Sequence, residues 1–322
     1  MSRHSHVVVG YDGSRAGDQI VRWAVTEAKL RRIGVTVCHA WQWERPMTKL
    51  YPGWPATVER MAEHVLDHGV FIARTSAPTV PVRKALLPGP PSSALLHLAD
   101  DAELIVVGSH GGGELHWGSI AVRTAARASC PVVVIRGVEP ADRRIIVGVD
   151  GSAASDAALA FAFEEAALKG WYLHAVHCFG DPDRPPEIDP EILRQRAGVM
   201  LERAVAPWRD KYPQVSAWTH LVPEPPRGAL TEAAVGAEML VVGDHGNGGP
   251  SPLTLGAVSR ELLLHAPCSV TVAHPLWFSG GEEHHDRAGR ARGEPARPAR
   301  FDRMSPGRGV GPSRGAGRRR PS

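Results

Sequence analysis

The sequence predicts an α/β protein: two doubly wound, five-stranded parallel-sheet domains in tandem, followed by a disordered tail. Three observations carry this. Short apolar runs alternate with stretches of helical periodicity along most of the 322 residues. The strand-like runs can be apolar at every position, as in Leu104-Ile105-Val106-Val107, which suits parallel strands covered by helices on both faces. The whole alternation also occurs twice. Val7-Val8-Val9-Gly10-Tyr11-Asp12-Gly13-Ser14 recurs 138 residues later as Ile145-Ile146-Val147-Gly148-Val149-Asp150-Gly151-Ser152. A repeat of that size is a duplicated domain rather than a solenoid unit.

In the first half, Val7–Tyr11 reads as a strand ending in Asp-Gly-Ser. Arg15–Arg32 follows as a helix with Ile20, Trp23, Ala24, Ala28 and Leu30 near helical spacing, stopped by Gly34. Val35–Trp41 is the second strand, Pro55–Ser76 a helix and Val80–Leu87 the third strand. Ser92–Asp101 is a short helix, Leu104–Gly108 the fourth strand, Gly118–Ser129 a helix and Pro131–Arg136 the last strand. The second half repeats the order: strands at 144–149, 171–179, 215–222, 239–243 and 268–273, and helices at 153–169, 187–211, 227–236 and 256–265. Residues 1–137 and 143–274 are thus two domains, and 275–322 is the tail.

Composition narrows the class. Apolar residues make up 43% and charged residues 22%, and no run approaches the ~18–20 apolar residues of a membrane span. Three valines after residue 6 are too few for an export signal. The four cysteines, 38, 130, 178 and 268, lie in or beside apolar runs without a C-x-x-C. They read as reduced core residues of a cytoplasmic protein. The net charge of +3 combines a tail with 11 Arg, no Lys and 5 acidic residues and a mildly acidic body. The Arg-, Gly- and Pro-rich tail buries too little apolar surface to offset its ordering entropy. It has Phe301 as its sole aromatic residue after Phe278, so base stacking on nucleic acid is not supported. No histidine or cysteine spacing matches a zinc site.

In a doubly wound sheet, ligands sit beyond the carboxyl ends of the strands where the strand order reverses. The first strand of each half ends at Asp12 or Asp150. A carboxylate there can accept hydrogen bonds from a ribose hydroxyl or an adenine amino group, or the Asp-Gly-Ser can simply be a turn and helix cap. The fourth strand of each half runs into a glycine loop that opens a helix, starting Gly108-Ser109-His110-Gly111 and Gly243-Asp244-His245-Gly246. Glycines let backbone N–H groups approach a phosphate, and the helix N-terminus adds its positive end. Neither loop is a P-loop or a G-x-G-x-x-G.

With these residues the chain resembles the universal stress proteins of the tandem, actinobacterial type, over about residues 5–274. The nucleotide motif of that family is G-x2-G-x9-G-[ST]. Gly243, Gly246 and Gly256 keep its spacing, and Ala257 stands where the hydroxyl belongs. The first half keeps the hydroxyl at Ser119, but six residues separate Gly111 from Gly118. The resemblance implies a Rossmann-like sheet that binds ATP, with or without Mg²⁺. It would place Asp12 and Asp150 against the adenosine and Ala40 and Cys178 beside the adenine. Gly108, Gly111, Gly118 and Ser119, with Gly243, Gly246 and Gly256, would hold the phosphates. Val107, His110 and Ile120, and Val242, His245, Ala257 and Val258, would line the same sites. It further implies that the last strands join the halves.

The function this implies is a nucleotide-dependent stress regulator without catalytic residues or a metal centre, with homodimerisation and a tail-borne nucleic-acid contact left open. Two rivals stand beside it: a scaffold of the same fold that has lost its nucleotide and works through protein partners, and a slow ATP-hydrolysing enzyme. Asp244, beside the expected phosphates, opposes anion binding unless Mg²⁺ intervenes.

Overall fold

The structure is a computed structural model that describes residues 6–42, 54–109, 119–137, 142–180, 189–246 and 254–275. The strands are β1 (His6–Gly10), β2 (Gly34–Trp41), β3 (Val82–Pro88), β4 (Ala102–Gly108) and β5 (Val132–Ile135) in the first half. In the second they are β6 (Arg144–Gly148), β7 (Tyr172–Cys178), β8 (Ala217–Val222), β9 (Met239–Gly243) and β10 (Ser269–Ala273). The helices are α1 (Arg15–Arg31), α2 (Trp54–Ser76), α3 (Pro91–His97), α4 (Ser119–Ala125), α5 (Ala153–Lys169), α6 (Pro190–Lys211), α7 (Pro226–Ala233) and α8 (Ala257–His265).

Each half has the strand order 3-2-1-4-5, and the two merge into one ten-stranded sheet, β3-β2-β1-β4-β5-β10-β9-β6-β7-β8. The merger is the antiparallel pair β5–β10, while the other pairings are parallel. Val133 pairs with Thr271, flanked by Val132 with Val272 and Val134 with Val270. Since residue 271 is the repeat counterpart of 133, this pairing is a local twofold axis relating the halves. The last strands therefore do join the halves.

Alternation along each buried strand sends side chains to two cores. Val7, Val9, Val35, Val37 and Val106 pack under α1 and α2, with Leu159, Phe161, Leu201 and Val205 of α5 and α6 in the same core. Val8, Ile105, Val107, Ile146 and Val242 pack on the other face with Leu95, Ala121, Leu230, Leu262 and Leu263 of α3, α4, α7 and α8. Cys38, Cys130 and Cys268 are buried and Cys178 half-buried, all as free thiols.

Several boundaries differ from the sequence expectation. Helix α1 ends at Arg32, which takes the left-handed conformation at φ 57°, and Gly34 instead starts β2. In the second half Gly170 does this at φ 65°, without the steric cost a Cβ carries there. Val80 and Val215 are buried but precede their strands. Helix α4 stops at Ala125, short of Ser129. The tail from residue 276, the aromatic connection at 43–53 and the linker residues 138–141 lie outside the described residues.

A buried charge cluster also crosses the local axis. Arg31 contacts Glu27 at 2.6 Å on its own helix and Glu165 at 2.9 Å on α5. Lys169 contacts Glu165 on its own helix and Glu27 at 3.1 Å on α1. Glu27 and Glu165 are fully buried, and Arg31 and Lys169 nearly so. Arg31 lies over the Phe161 ring and Lys169 over Trp23, so the ring contacts obey the same twofold. Burial and the adjacent Glu27 carboxylate push Glu165 above the usual carboxylate range.

Candidate functional site

Strand order reverses between β1 and β4 in the first half and between β6 and β9 in the second, the position where a crevice opens beyond the strand ends. In the second half that crevice is a cavity of about 530 Å³. Asp150, Cys178, Val242, Gly243, His245, Gly246, Gly256, Ala257 and Val258, picked from the sequence, all line it. Asp150 follows β6, Cys178 ends β7, Val242 and Gly243 end β9, and Ala257 and Val258 start α8.

The local reasons are readable residue by residue. The Asp-Gly-Ser turn is a helix cap in both halves. The Ser14 hydroxyl oxygen accepts from the Gly17 amide at 2.9 Å, and that of Ser152 accepts from the Ser155 amide at 3.1 Å. Gly13 and Gly151 sit at φ 81° and 78°, where a side chain is strained. The turn reading and the site reading therefore coexist. Asp12 Oδ1 accepts from both the amide and the hydroxyl of Ser14, at 2.9 and 2.6 Å. Asp150 Oδ1 accepts from the Ser152 amide at 3.0 Å.

The glycines keep the cradle narrow. A Cβ on Gly246 would lie 2.6 Å from Asp150 Oδ2, and one on Gly243 would meet the Ala154 backbone at 2.7–2.8 Å. The Gly256 amide donates to the Asp244 carbonyl at 2.8 Å, which folds the loop back onto the strand end. Gly256 is also the N-cap of α8 and offers no side chain to the first-turn amides. Those amides and the helix dipole face the cavity wall formed by Ala257 and Val258.

Asp244 departs from its expected place. Its carboxylate lies 3.2 Å from His245 Nδ1, and it is not among the described residues lining the cavity. His245 Nε2 is buried without a hydrogen-bond partner among the described residues. His177, next to Cys178, is a part-buried residue near the end of β7. Its Nδ1–H donates to the Val149 carbonyl at 2.7 Å, and His39 makes the equivalent bond to the Tyr11 carbonyl at 2.7 Å.

Several lining residues escaped the sequence reading: Arg260, Thr254 and Leu255, and Ser155, Pro226 and Leu230. Arg260 sits one turn into α8 from Gly256, so helical spacing puts it on the same face. Pro226 and Leu230 are four apart on α7, a spacing that would have grouped them. Ser259 also lines the cavity, but its hydroxyl donates to the Gly243 carbonyl at 2.6 Å.

In the first half, Val107 and Gly108 end β4, Ala40 lies in β2, Asp12 follows β1 and Ile120 lies in α4. Val107 is buried, and Ala40 and Ile120 pack against the same core. Asp12 is exposed. Ser119 begins α4, but its side chain, like His110, Gly111 and Gly118, lies outside the described residues. Among the described residues no helix is long and apolar enough to cross a membrane.

Comparison with known proteins agrees with this architecture. The universal stress protein family model matches residues 4–136 and again residues 142–274. A universal stress protein of Mycobacterium tuberculosis is 33% identical over 286 residues, covering 83% of this chain and 96% of the relative. One from Mycolicibacterium smegmatis is 32% identical over 291 residues, covering 84% and 97%. The crystal structure of a universal stress protein from Archaeoglobus fulgidus superposes with a TM-score of 0.63 at 17% identity, covering 85% of this chain and 98% of that one. At that identity the superposition speaks for the fold alone. With a family model matched twice over most of its length and relatives above 30% identity, this chain belongs to the universal stress protein family and carries two copies of its domain.

Proposed function

We propose that the second-half cavity binds an adenine nucleotide, ATP, and that the chain is a cytoplasmic nucleotide-dependent regulator in the stress response rather than an efficient enzyme. The observation that carries this is convergence. Nine residues that the motif spacing and the family resemblance assign to a nucleotide line one cavity of about 530 Å³, within the usual ~300–1,000 Å³ of small-molecule sites. Its chemistry suits the ligand. Val149, Val176, Leu230 and Val242 offer an apolar slot for the base. Asp150 is placed for the ribose hydroxyls. Gly246 and the uncapped start of α8 present backbone N–H groups to phosphate. Arg260 adds a cation at the mouth.

The departures weigh less than their spacing suggested. Asp244 is paired with His245 rather than lining the cavity, so it does not by itself demand Mg²⁺. The hydroxyl missing at Ala257 would cost about 1.5–3 kcal/mol to a charged phosphate, a loss that Arg260 offsets in part. Mg²⁺, where present, would enter with the phosphates.

The test is to denature the purified full-length chain and quantify released nucleotide by anion-exchange chromatography. Close to one equivalent of ATP is expected, with loss in Gly246→Ala and retention in Gly111→Ala. No released nucleotide, together with no calorimetric heat from added ATP and Mg²⁺, would leave the fold as a partner-binding scaffold.

A further inference from the structure

The β7–β8 ladder, at the edge of the sheet, carries two imidazoles in hydrogen-bond contact. His174 Nδ1 and His220 Nε2 are 2.7 Å apart, and the ring planes are parallel within 1° with centroids 4.7 Å apart. The strands fix this approach: His174 pairs directly with Trp218, and Val176 pairs with His220 two residues on. Tyr172 and Trp218 wall the pair, with ring centroids 5.8 and 5.2 Å from His174. His220 is exposed and Trp218 is 49% exposed. The pair adjoins the nucleotide cavity: Val176, which lines it, stands two residues after His174, about 7 Å along the strand, and pairs with His220.

We propose that His174 and His220 form a surface chelate for a divalent late transition-metal ion of the Cu²⁺, Ni²⁺ or Zn²⁺ class. Such an ion takes neutral imidazole nitrogens at about 2.0–2.1 Å, which sets two neighbouring ligand nitrogens ~3 Å apart. The observed 2.7 Å is a hydrogen bond in which one of the two nitrogens carries the proton; shifting that proton to the ring's other nitrogen, with small side-chain rotations, opens the pair to the metal spacing. Two features favour the chelate. Both donors stand on hydrogen-bonded strands, so little backbone entropy is lost on binding. The site is open, so water completes the coordination shell and no charge is buried. Among the described residues no cluster of three or more metal-ligating side chains occurs, so the site is bidentate. Hard ions such as Mg²⁺ and Ca²⁺ prefer oxygen and should not compete, and Cu²⁺ should bind more tightly than Zn²⁺.

The experiment titrates CuCl₂, NiCl₂ and ZnCl₂ separately into the full-length chain by calorimetry in a non-chelating buffer, following tryptophan emission in parallel. The chain has 16 histidines, so the comparison is with His220→Ala and His174→Ala/His220→Ala. The expected result is one equivalent fewer of bound Cu²⁺ in each variant, and loss of the quenching that Trp218→Phe also removes. Excess Mg²⁺ should leave the wild-type isotherm unchanged. Equal stoichiometry and equal quenching in the wild type and the double variant would overturn the proposal. So would Mg²⁺ competing with Cu²⁺.

Discussion

Replacing Arg31 with methionine should be among the most damaging single changes in this protein. It keeps side-chain volume and removes one charge from the cluster between α1 and α5. Arg31 contacts Glu27 and Glu165, both fully buried, and is itself 4% exposed. Solvent therefore screens these contacts little. Its contact with Glu164, which is 32% exposed, is of the weaker surface kind. Without Arg31, two buried carboxylates share Lys169 alone. Leaving a buried charge uncompensated costs about 3–5 kcal/mol, against a total stability of only ~5–15 kcal/mol for a typical protein. Urea unfolding followed by circular dichroism reads this directly. Adding Glu165→Gln should restore part of the loss, since Glu27 and Lys169 remain as a neutral pair, with a coupling of about 1–3 kcal/mol. The pH dependence has a definite sign. In Arg31→Met the folded-state pKa of Glu165 rises further above its unfolded value, so its contribution is present in acid and lost as pH rises through the folded pKa. The deficit should therefore narrow as pH falls. A loss below ~1 kcal/mol, or additive single and double variants, would refute this account of the cluster.

Other expectations follow from single contacts. Cys178, half-buried in the cavity wall with its thiol pushed by burial to about 11, should be the first cysteine alkylated by maleimide, and saturating ATP should slow it; equal rates would count against a nucleotide there. Arg260→Ala should weaken ATP roughly ten-fold by calorimetry, less at high salt, and leave adenosine unchanged. A parallel loss for both ligands would place Arg260 away from the phosphates. His274 is buried with Nε2 2.8 Å from the Ala125 carbonyl, and burial lowers its pKa despite that bond. The stability it supports is full above the unfolded value of about 6.5 and lost as pH falls. Thermal unfolding should drop between neutral and mildly acid pH, and His274→Gln should flatten that drop.

The repeat and the alternation of strand and helix were legible because they are local. A parallel strand buried on both faces must be apolar throughout, and Leu104–Val107 and Met239–Val242 are. What local pattern could not show is which helix meets which across 130 residues of chain. Glu27 and Glu165 are visible as a repeated position in the sequence. Nothing near either one says that Arg31 and Lys169 exchange partners between halves. The clue lies in α5, whose buried residues run on consecutively from Ala157 to Phe163, unlike the single buried stripe of α1. That run lies between the sheet and α6, whose Trp208 and C-cap Tyr212 stack on Phe163, and just beyond it Glu165 meets Arg31 of the other half.

The site divides along the same line. Glycine positions are legible because a glycine is required by what a Cβ would strike, and Gly243 and Gly246 each have such a neighbour. Asp150 is legible because it ends a strand at the reversal of strand order. Side chains that reach the cavity from within a helix obey a different rule, the three- and four-residue spacing of one helical face. Applied from Gly256, that rule reaches Arg260. Applied along α7, it pairs Pro226 with Leu230. The departure at Ala257 removes one side-chain donor and leaves the backbone spacing of Gly243, Gly246 and Gly256 intact. In space, the first turn of α8 retains its amides, its dipole and a cation at the mouth. A phosphate bound there would meet those groups as a set, so the loss of one hydroxyl would weaken the proposed cradle without dismantling it.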